Sequence, residues 1–361
     1  MWRRLFELRG SLTTRENTLL TLLGLAFFVG IWIVLTAGEN PIMPRGSLPS
    51  PIRVLKAYPD LIVENELVKN TFRSYGLNLA GYIKAILYAL PLGFLIGLFP
   101  FFRGAFQRLV DAIRFVPLTA LTVIFIVWFG IYTEAKVNFL AFGIFIFLLP
   151  VVVQRITEVE NVYVTTVYTL GANKWQTIKS VFFPAVISKL IDDIRILTAI
   201  SWTYIIVAEN TGDQGGLGSL IYRTGQRMGR IDKTFAILIL IIVIGILQDK
   251  IFAIIDKKLF PHKYQLHDSL KKSKVKDQKI SQAIYDYILG ISGWILLGIY
   301  VALVINEFIP FLSALPILTY LFGDTVWAIH IVFGCIFLFL LKIWKENKEI
   351  AAWSVKNYSK N

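Results

Sequence analysis

Eight stretches of this chain carry no charged side chain, and they constrain its fold more than any other feature. They are residues 17–38, 85–102, 115–133, 137–154, 196–208, 234–248, 287–306 and 325–341. A bilayer core of about 30 Å takes roughly 20 residues of helix to cross. Several stretches meet that length alone, and the shorter ones meet it once a terminal charged residue snorkels. Backbone in lipid must satisfy its own hydrogen bonds, so each stretch is expected to be a helix. The reading is an all-α polytopic membrane protein with eight spans. Its 56% hydrophobic fraction, high for a soluble chain of 361 residues, follows from these runs.

The net charge of +13 tests the topology. With the N-terminus in the cytoplasm and the spans alternating, 26 of the 37 Lys and Arg fall inside and 10 outside, and Lys84 lies within the second span. That bias fits the positive-inside rule and puts both termini in the cytoplasm. The basic balance is therefore a topology signal, not a sign of nucleic-acid binding. The single cysteine, Cys335, makes neither a disulfide framework nor a metal site and is expected to be a small packing residue. The first apolar run is too long for a signal-peptide core and reads as an uncleaved anchor behind a tail holding Arg3, Arg4, Arg9 and Arg15.

These runs and the charges between them divide the chain. Residues 1–75 hold the tail, the first span and an external segment. In that segment Leu48 to Pro51 must be extended or turned, and 52–68 read as an amphipathic surface helix. Residues 76–256 form the core, with a short basic loop between spans two and three and a polar loop at 156–186. Gly212, Gly215, Gly216 and Gly218 mark an external turn followed by a short surface helix. A basic cytosolic linker occupies 257–281, and 282–361 add a further transmembrane hairpin and a basic tail.

The loop at 156–186 is the candidate site. Gly171 is the residue expected where a helix stops in a left-handed turn. Pro184 fits the first turn of a new helix, where its missing N–H costs nothing. Between them Trp175, Ile178 and Phe182 recur at helical spacing, with Lys174 and Lys179 on other positions. An interfacial helix that presents polar and basic groups to the cytoplasm would result. Such a helix is either a docking element or an ordinary surface helix.

Here the chain resembles a known family. Gly171, then nine residues, then Val181, Phe182, Phe183 and Pro184 are similar to the EAA loop of ABC importer permeases. Thr169 to Trp175 (TLGANKW) resembles the nitrate, sulfonate, taurine and bicarbonate branch. So do Leu48-Pro49-Ser50-Pro51, Asn70-Thr71 with Ser74, Arg114 to Pro117, Phe129-Gly130, Ser201-Trp202, Ala208-Glu209, Gly216-Leu217-Gly218 and Gly245 to Asp249, in order along the chain. Two features depart from the pattern. Thr165, Thr166 and Val167 stand at the E-A-A positions, where the family places an acid, and the hairpin after residue 282 is additional to six spans.

The resemblance implies a type I ABC importer permease in a bacterial inner membrane, translocating a small solute and not itself an enzyme. Two copies would form the pore, with two cytosolic ATPase subunits below and an extracytoplasmic substrate-binding protein above. Thr165, Thr166, Gly171, Ala172, Lys174, Trp175 and Pro184 would meet the ATPase. The chain would bind no cofactor of its own, since ATP and Mg belong to the partner. In keeping with this, the sequence has no Gly-Lys dipeptide and so no P-loop. Nitrate, sulfonates, taurine, bicarbonate and pyrimidine precursors remain open as substrates. The alternatives are an ion-coupled secondary transporter, which wants inverted repeats and midplane carboxylates, and a membrane-embedded lipid enzyme. For the latter, His262, His267 and His330 are thin material.

Ionisable and polar groups in the spans complete the expectations. Lys84 should snorkel. Asp192 or Asp193 should pair with Arg195 on one helix face. Glu209 should cap the glycine turn, pair with Arg223 or Arg227, or gate the outer mouth. Asp249 should pair with a nearby lysine, and His330 should be a hydrogen-bonded packing group. Ser201, Trp202, Thr203 and Tyr204, with Glu209, are the candidate translocation path.

Overall fold

The structure is a computed structural model that describes residues 7, 10, 12–210, 215–261, 263, 275–310 and 312–358; of 14, 275–289, 343 and 346–358 it describes the backbone alone. Arg3, Arg4, Arg9, Gly212, His262 and His267 lie outside the described residues. Every regular element among the described residues is helical. They fall into two compact units, one within 1–67 and 220–242, the other within 68–219 and 243–361.

In the first unit, α1 (Thr14–Thr36) starts at a capping box in which Thr13 and Glu16 satisfy each other's backbone N–H. The expected single surface helix is two short ones, α2 (Pro51–Lys56) and α3 (Tyr58–Val63), which meet at Ala57. Pro59 cannot donate the hydrogen bond a continuous helix would need there. Tyr58 Oη donates to Ala236 O at 2.9 Å, and Arg230 forms salt bridges to Asp60 and Asp232.

The second unit holds most of the remaining spans. The helix α4 (Leu67–Leu98) starts well before the apolar run at 85, so the boundary expected at residue 75 lies inside it. The stretch after α4 departs from expectation. Instead of a basic loop and a straight third span there are α5 (Pro100–Ile113) and α6 (Leu118–Phe129), bent by 106°. Pro117 excludes the helical conformation from Val116 and enforces the break. Then come α7 (Thr133–Thr157), α8 (Asn161–Thr169), α9 (Lys174–Thr177) and α10 (Phe183–Glu209). Residues of α4, α7 and α10 build one apolar core, including Ala85, Ala89, Leu148, Val152, Val186 and Leu190. The approach of α4 to α7 requires glycine at 93, where a Cβ would sit 2.4 Å from Val152 Cγ1.

Beyond α10, α11 (Leu217–Ile221) is no surface helix, because Leu217 and Leu220 are fully buried. The helix α12 (Ile231–Leu259) comes next. The hairpin is α13 (Val275–Phe308), α14 (Ile317–Phe322), a 3-10 turn (Gly323–Thr325) and α15 (Val326–Tyr358). Its turn region packs on the first half of α4. Phe322 meets Phe72 edge-on at 5.4 Å, and Thr133 Oγ1 donates to Asp324 Oδ2 at 2.8 Å. Cys335, expected to be packed, is exposed on α15. His330 does hydrogen-bond, to Tyr300 Oη at 2.5 Å.

Among the described residues six helices are long and apolar enough to cross a membrane, or seven if the bent pair counts as one. With 27 residues α10 has the length as well, but Lys189, Asp192, Asp193 and Arg195 occupy its first half.

Candidate functional site

Leaving α7, the chain makes the helix–turn–helix that the glycine announced. The helix α8 buries none of its residues. It ends in a Schellman motif, in which Gly171 N donates to Tyr168 O and Ala172 N to Val167 O, both at 3.0 Å. Gly171 has φ +82°, which explains the need for glycine. Asn173 then caps α9 reciprocally with Gln176 at 2.8 Å. The expected new helix at Pro184 is not a separate one. From Lys174 the backbone stays helical through a π segment (Ile178–Phe182) into α10, and Pro184 sits in the first turn of that continuation. The wider turn accommodates the missing N–H without a break.

Thr165 and Thr166 are exposed, and their hydroxyls donate back to Asn161 O and Val162 O of their own helix. No acid replaces the one the family pattern calls for. The loop presents apolar groups instead: Val162, Tyr163, Tyr168, Leu170 and Trp175 are exposed, Leu170 at 80% and Trp175 at 71%. Trp175 is thus exposed, whereas Ile178 and Phe182 are half-buried. Lys174 and Lys179 are exposed too, and Ala172 is half-buried.

Ion pairs tie the neck of this loop. Arg155, near the end of α7, binds Asp193 of α10 through two bonds of 2.7 Å and Glu158 through a third of 2.7 Å, and Lys189 reaches Glu158 at 3.2 Å. Bidentate guanidinium–carboxylate geometry fixes orientation as well as distance. The Arg155 hydrogen bond holds the Glu158 carboxyl below the usual carboxylate range. Sequence reasoning paired Asp193 along its own helix; the partner lies 38 residues back, at a separation no helical spacing shows. Asp192 does pair with Arg195, at 3.7 Å. Asp249, expected to take a lysine, takes Arg195 at 2.9 Å, because the approach of α12 to α10 brings that guanidinium closer.

At the opposite end of α10 stands the second group of expected residues. Glu209 is 2% exposed. It accepts hydrogen bonds from Ser74 Oγ at 2.6 Å and from Gly218 N at 2.8 Å, so it caps the glycine turn. Asn70 Oδ1 accepts from Gly216 N, and Ser74 Oγ from Leu217 N, which ties α4 to the same turn. The remaining path candidates separate. Ser201 is buried against Asn78 at 3.0 Å. Trp202 is buried and donates to Gln248 at 3.1 Å, beside a 580 Å3 cavity also lined by Arg195 and Asp249. Thr203 is exposed and donates to Ile200 O. Tyr204 stacks on Phe147. Lys84 does not snorkel but donates to Asn138 Oδ1 at 3.0 Å, since α7 offers an acceptor within reach.

Residues 89–261 match the model of the binding-protein-dependent transport system inner membrane component family. That segment contains the whole loop, its neck and the Glu209 turn. Over these residues the chain is similar to that family. Among its relatives is a probable ABC transporter permease protein of Brucella melitensis, 27% identical over 66% of this chain and 95% of that one. Another is the putative aliphatic sulfonates transport permease SsuC of Bacillus subtilis, 28% identical over 65% of this chain and 84% of that one. A solved inward-facing structure of the MetNI methionine ABC transporter has 20% identity and a TM-score of 0.49, covering 54% of this chain and 95% of that one. The permease is an inner-membrane translocation subunit of an ABC importer and not itself an enzyme; ATPase activity sits in partner subunits.

Proposed function

We propose that residues 161–182 are the surface through which this permease receives the ATPase stroke, and that it does so by shape and apolar contact. The single observation that carries this is the set of exposed apolar side chains on α8 and α9 where the family pattern has an acid. Exposed aromatic and aliphatic groups on a short rigid element are what an interface needs at its centre. Thr165 and Thr166 supply no charge, so Lys174 and Lys179 are the only formal charges from Asn161 to Phe182. In this reading the loop is cytoplasmic, both termini are cytoplasmic, two copies of the chain line the pore, and two ATPase subunits and an external binding protein complete the importer. The solute is a small one such as a sulfonate, nitrate, taurine or bicarbonate; the sulfonate permease relative supports that class. Transport follows when closure of the ATPases moves the loop and the attached α10.

The test is copurification of ATPase subunits with the tagged chain. Leu170→Ser with Trp175→Ala should weaken recovery of the ATPase at least tenfold, as for loss of an apolar anchor of about 1.4 kcal/mol or more, and leave the permease in the membrane. Undiminished recovery would remove the apolar docking proposal.

A further inference from the structure

Where the additional hairpin meets the core there is an open cleft of 400 Å3, separate from the loop and sharing Thr133 and Asp324 with a 220 Å3 cavity that reaches Glu209. It is lined by Lys84 of α4, Tyr132 and Glu134 at the start of α7, and Asp324 and Trp327 of the hairpin. Its charges are ordered. Glu134 lies in the first turn of α7, and Asp324 lies in the 3-10 turn just before α15, so both carboxylates sit at the rim. Lys84 donates to Asn138, four residues further along α7 than Glu134. At the helical rise that is about 6 Å deeper. Tyr132 and Trp327, both exposed, stand at rim level, where amphipathic aromatic rings settle in a bilayer. Deeper still, Leu87 and Tyr88 on α4 and Ile331 on α15 are exposed. They follow Lys84 and Trp327 at three- and four-residue spacing and so continue the same helix faces.

From rim to interior the order is carboxylates with aromatic rings, then an ammonium, then an apolar track. We propose that this cleft is a binding site for a zwitterionic phospholipid, its phosphate at Lys84, its amine at Glu134 and Asp324, and its acyl chains along Leu87, Tyr88 and Ile331. In such a lipid the amine lies beyond the phosphate, away from the chains, which matches the order of the side chains. A singly anionic headgroup without an amine would leave both carboxylates facing a like charge. Aromatic faces favour the cationic end of the headgroup as well. The site exists only because the hairpin is there, which gives residues 317–331 a role: they complete a lipid site that the core alone would leave half-built. The inference requires that the chain spans a bilayer, and not that it imports any particular solute.

The experiment is native mass spectrometry of the full-length chain in mild detergent with equal amounts of phosphatidylethanolamine and phosphatidylglycerol. Wild type should retain phosphatidylethanolamine over phosphatidylglycerol by about tenfold, the scale of one charge-assisted hydrogen bond. Glu134→Gln should bring the ratio close to one, and Lys84→Ala should lower the retention of both lipids, since both carry the phosphate. Glu134 is substituted because Asp324 also holds Thr133 and so the hairpin itself. A wild-type ratio near one, a ratio unchanged in Glu134→Gln, or lipid retention unchanged in Lys84→Ala overturns the proposal. Soluble glycerophosphoethanolamine is added in a third arm. Failure to displace the lipid supports a membrane ligand, and full displacement at equal concentration would assign the cleft to a soluble zwitterion and overturn the lipid site.

Discussion

The two ends of α10 are built on opposite principles. At the loop end the charged groups are partly exposed and paired across helices, and large apolar side chains face outward. At the Glu209 end a carboxylate is buried among backbone and hydroxyl donors, and the apolar residues beside it, Leu217 and Leu220, are buried too. The difference teaches how one chain makes an outward apolar face and a buried polar turn from similar residue types. The loop end keeps its hydrophobic groups outside and uses ion pairs to hold the neck. The Glu209 end turns its polar groups onto its own backbone and onto Ser74.

The largest expected effect comes from breaking the buried end. Glu209→Ala leaves the Ser74 hydroxyl and the Gly218 N–H without their buried acceptor, and should cost about 3 kcal/mol. The measurement is the unfolding midpoint of the purified chain in detergent, and Glu209→Gln should cost less because an acceptor remains. Next is the neck. Asp193→Ala leaves Arg155 without its bidentate partner, and because that pair is only partly buried the cost should be about 2 kcal/mol. If Asp193→Ala destabilises more than Glu209→Ala, the contrast between the ends is wrong.

Gly171→Val sharpens the comparison from the exposed side. At φ +82° a β-branched residue is strained by about 1–2 kcal/mol. A Cβ there would meet no atom within 4 Å, so the strain is local and unfolding should move little. Solute uptake should nevertheless be lost with insertion intact, and normal uptake would sink the coupling role of the turn. The smallest effect is one of pH. The Glu158 carboxyl is depressed by Arg155, so its contribution is present above the ordinary carboxylate range and disappears as pH falls through and below that range. Protease cleavage of the loop should therefore rise on acidification in wild type, with Glu158→Gln cleaved equally across the same pH range.

Much of this was legible in the sequence, for reasons that differ by residue. The charge-free runs locate the long helices because lipid admits few other structures, and Gly171 announces its turn because only glycine takes that backbone conformation cheaply. The bend between α5 and α6 was hidden because an apolar count has no direction; Pro117 was the one signal for it. The partners of Asp193 and Glu209 were hidden for another reason. Arg155 lies 38 residues from Asp193, and Ser74 lies 135 residues from Glu209, so both depend on how helices pack and not on spacing along one of them. The exposure of Trp175 beside half-buried Ile178 and Phe182 was hidden because helical spacing groups residues without saying which of them other elements cover.

The continuous helical path from Lys174 to Glu209 has a mechanical consequence. It joins the four residues of α9, the five of the π segment and the 27 of α10 end to end. At the helical rise that is a rod of about 54 Å. Its one irregularity, the π segment, lies next to the loop. Trp175 and Glu209 therefore stand at opposite ends of one continuous helical path, on either side of the point where Arg155 grips Asp193. Because Ser201 and Glu209 also hydrogen-bond to Asn78 and Ser74 of α4, the far end of that path is tied to a second helix as well.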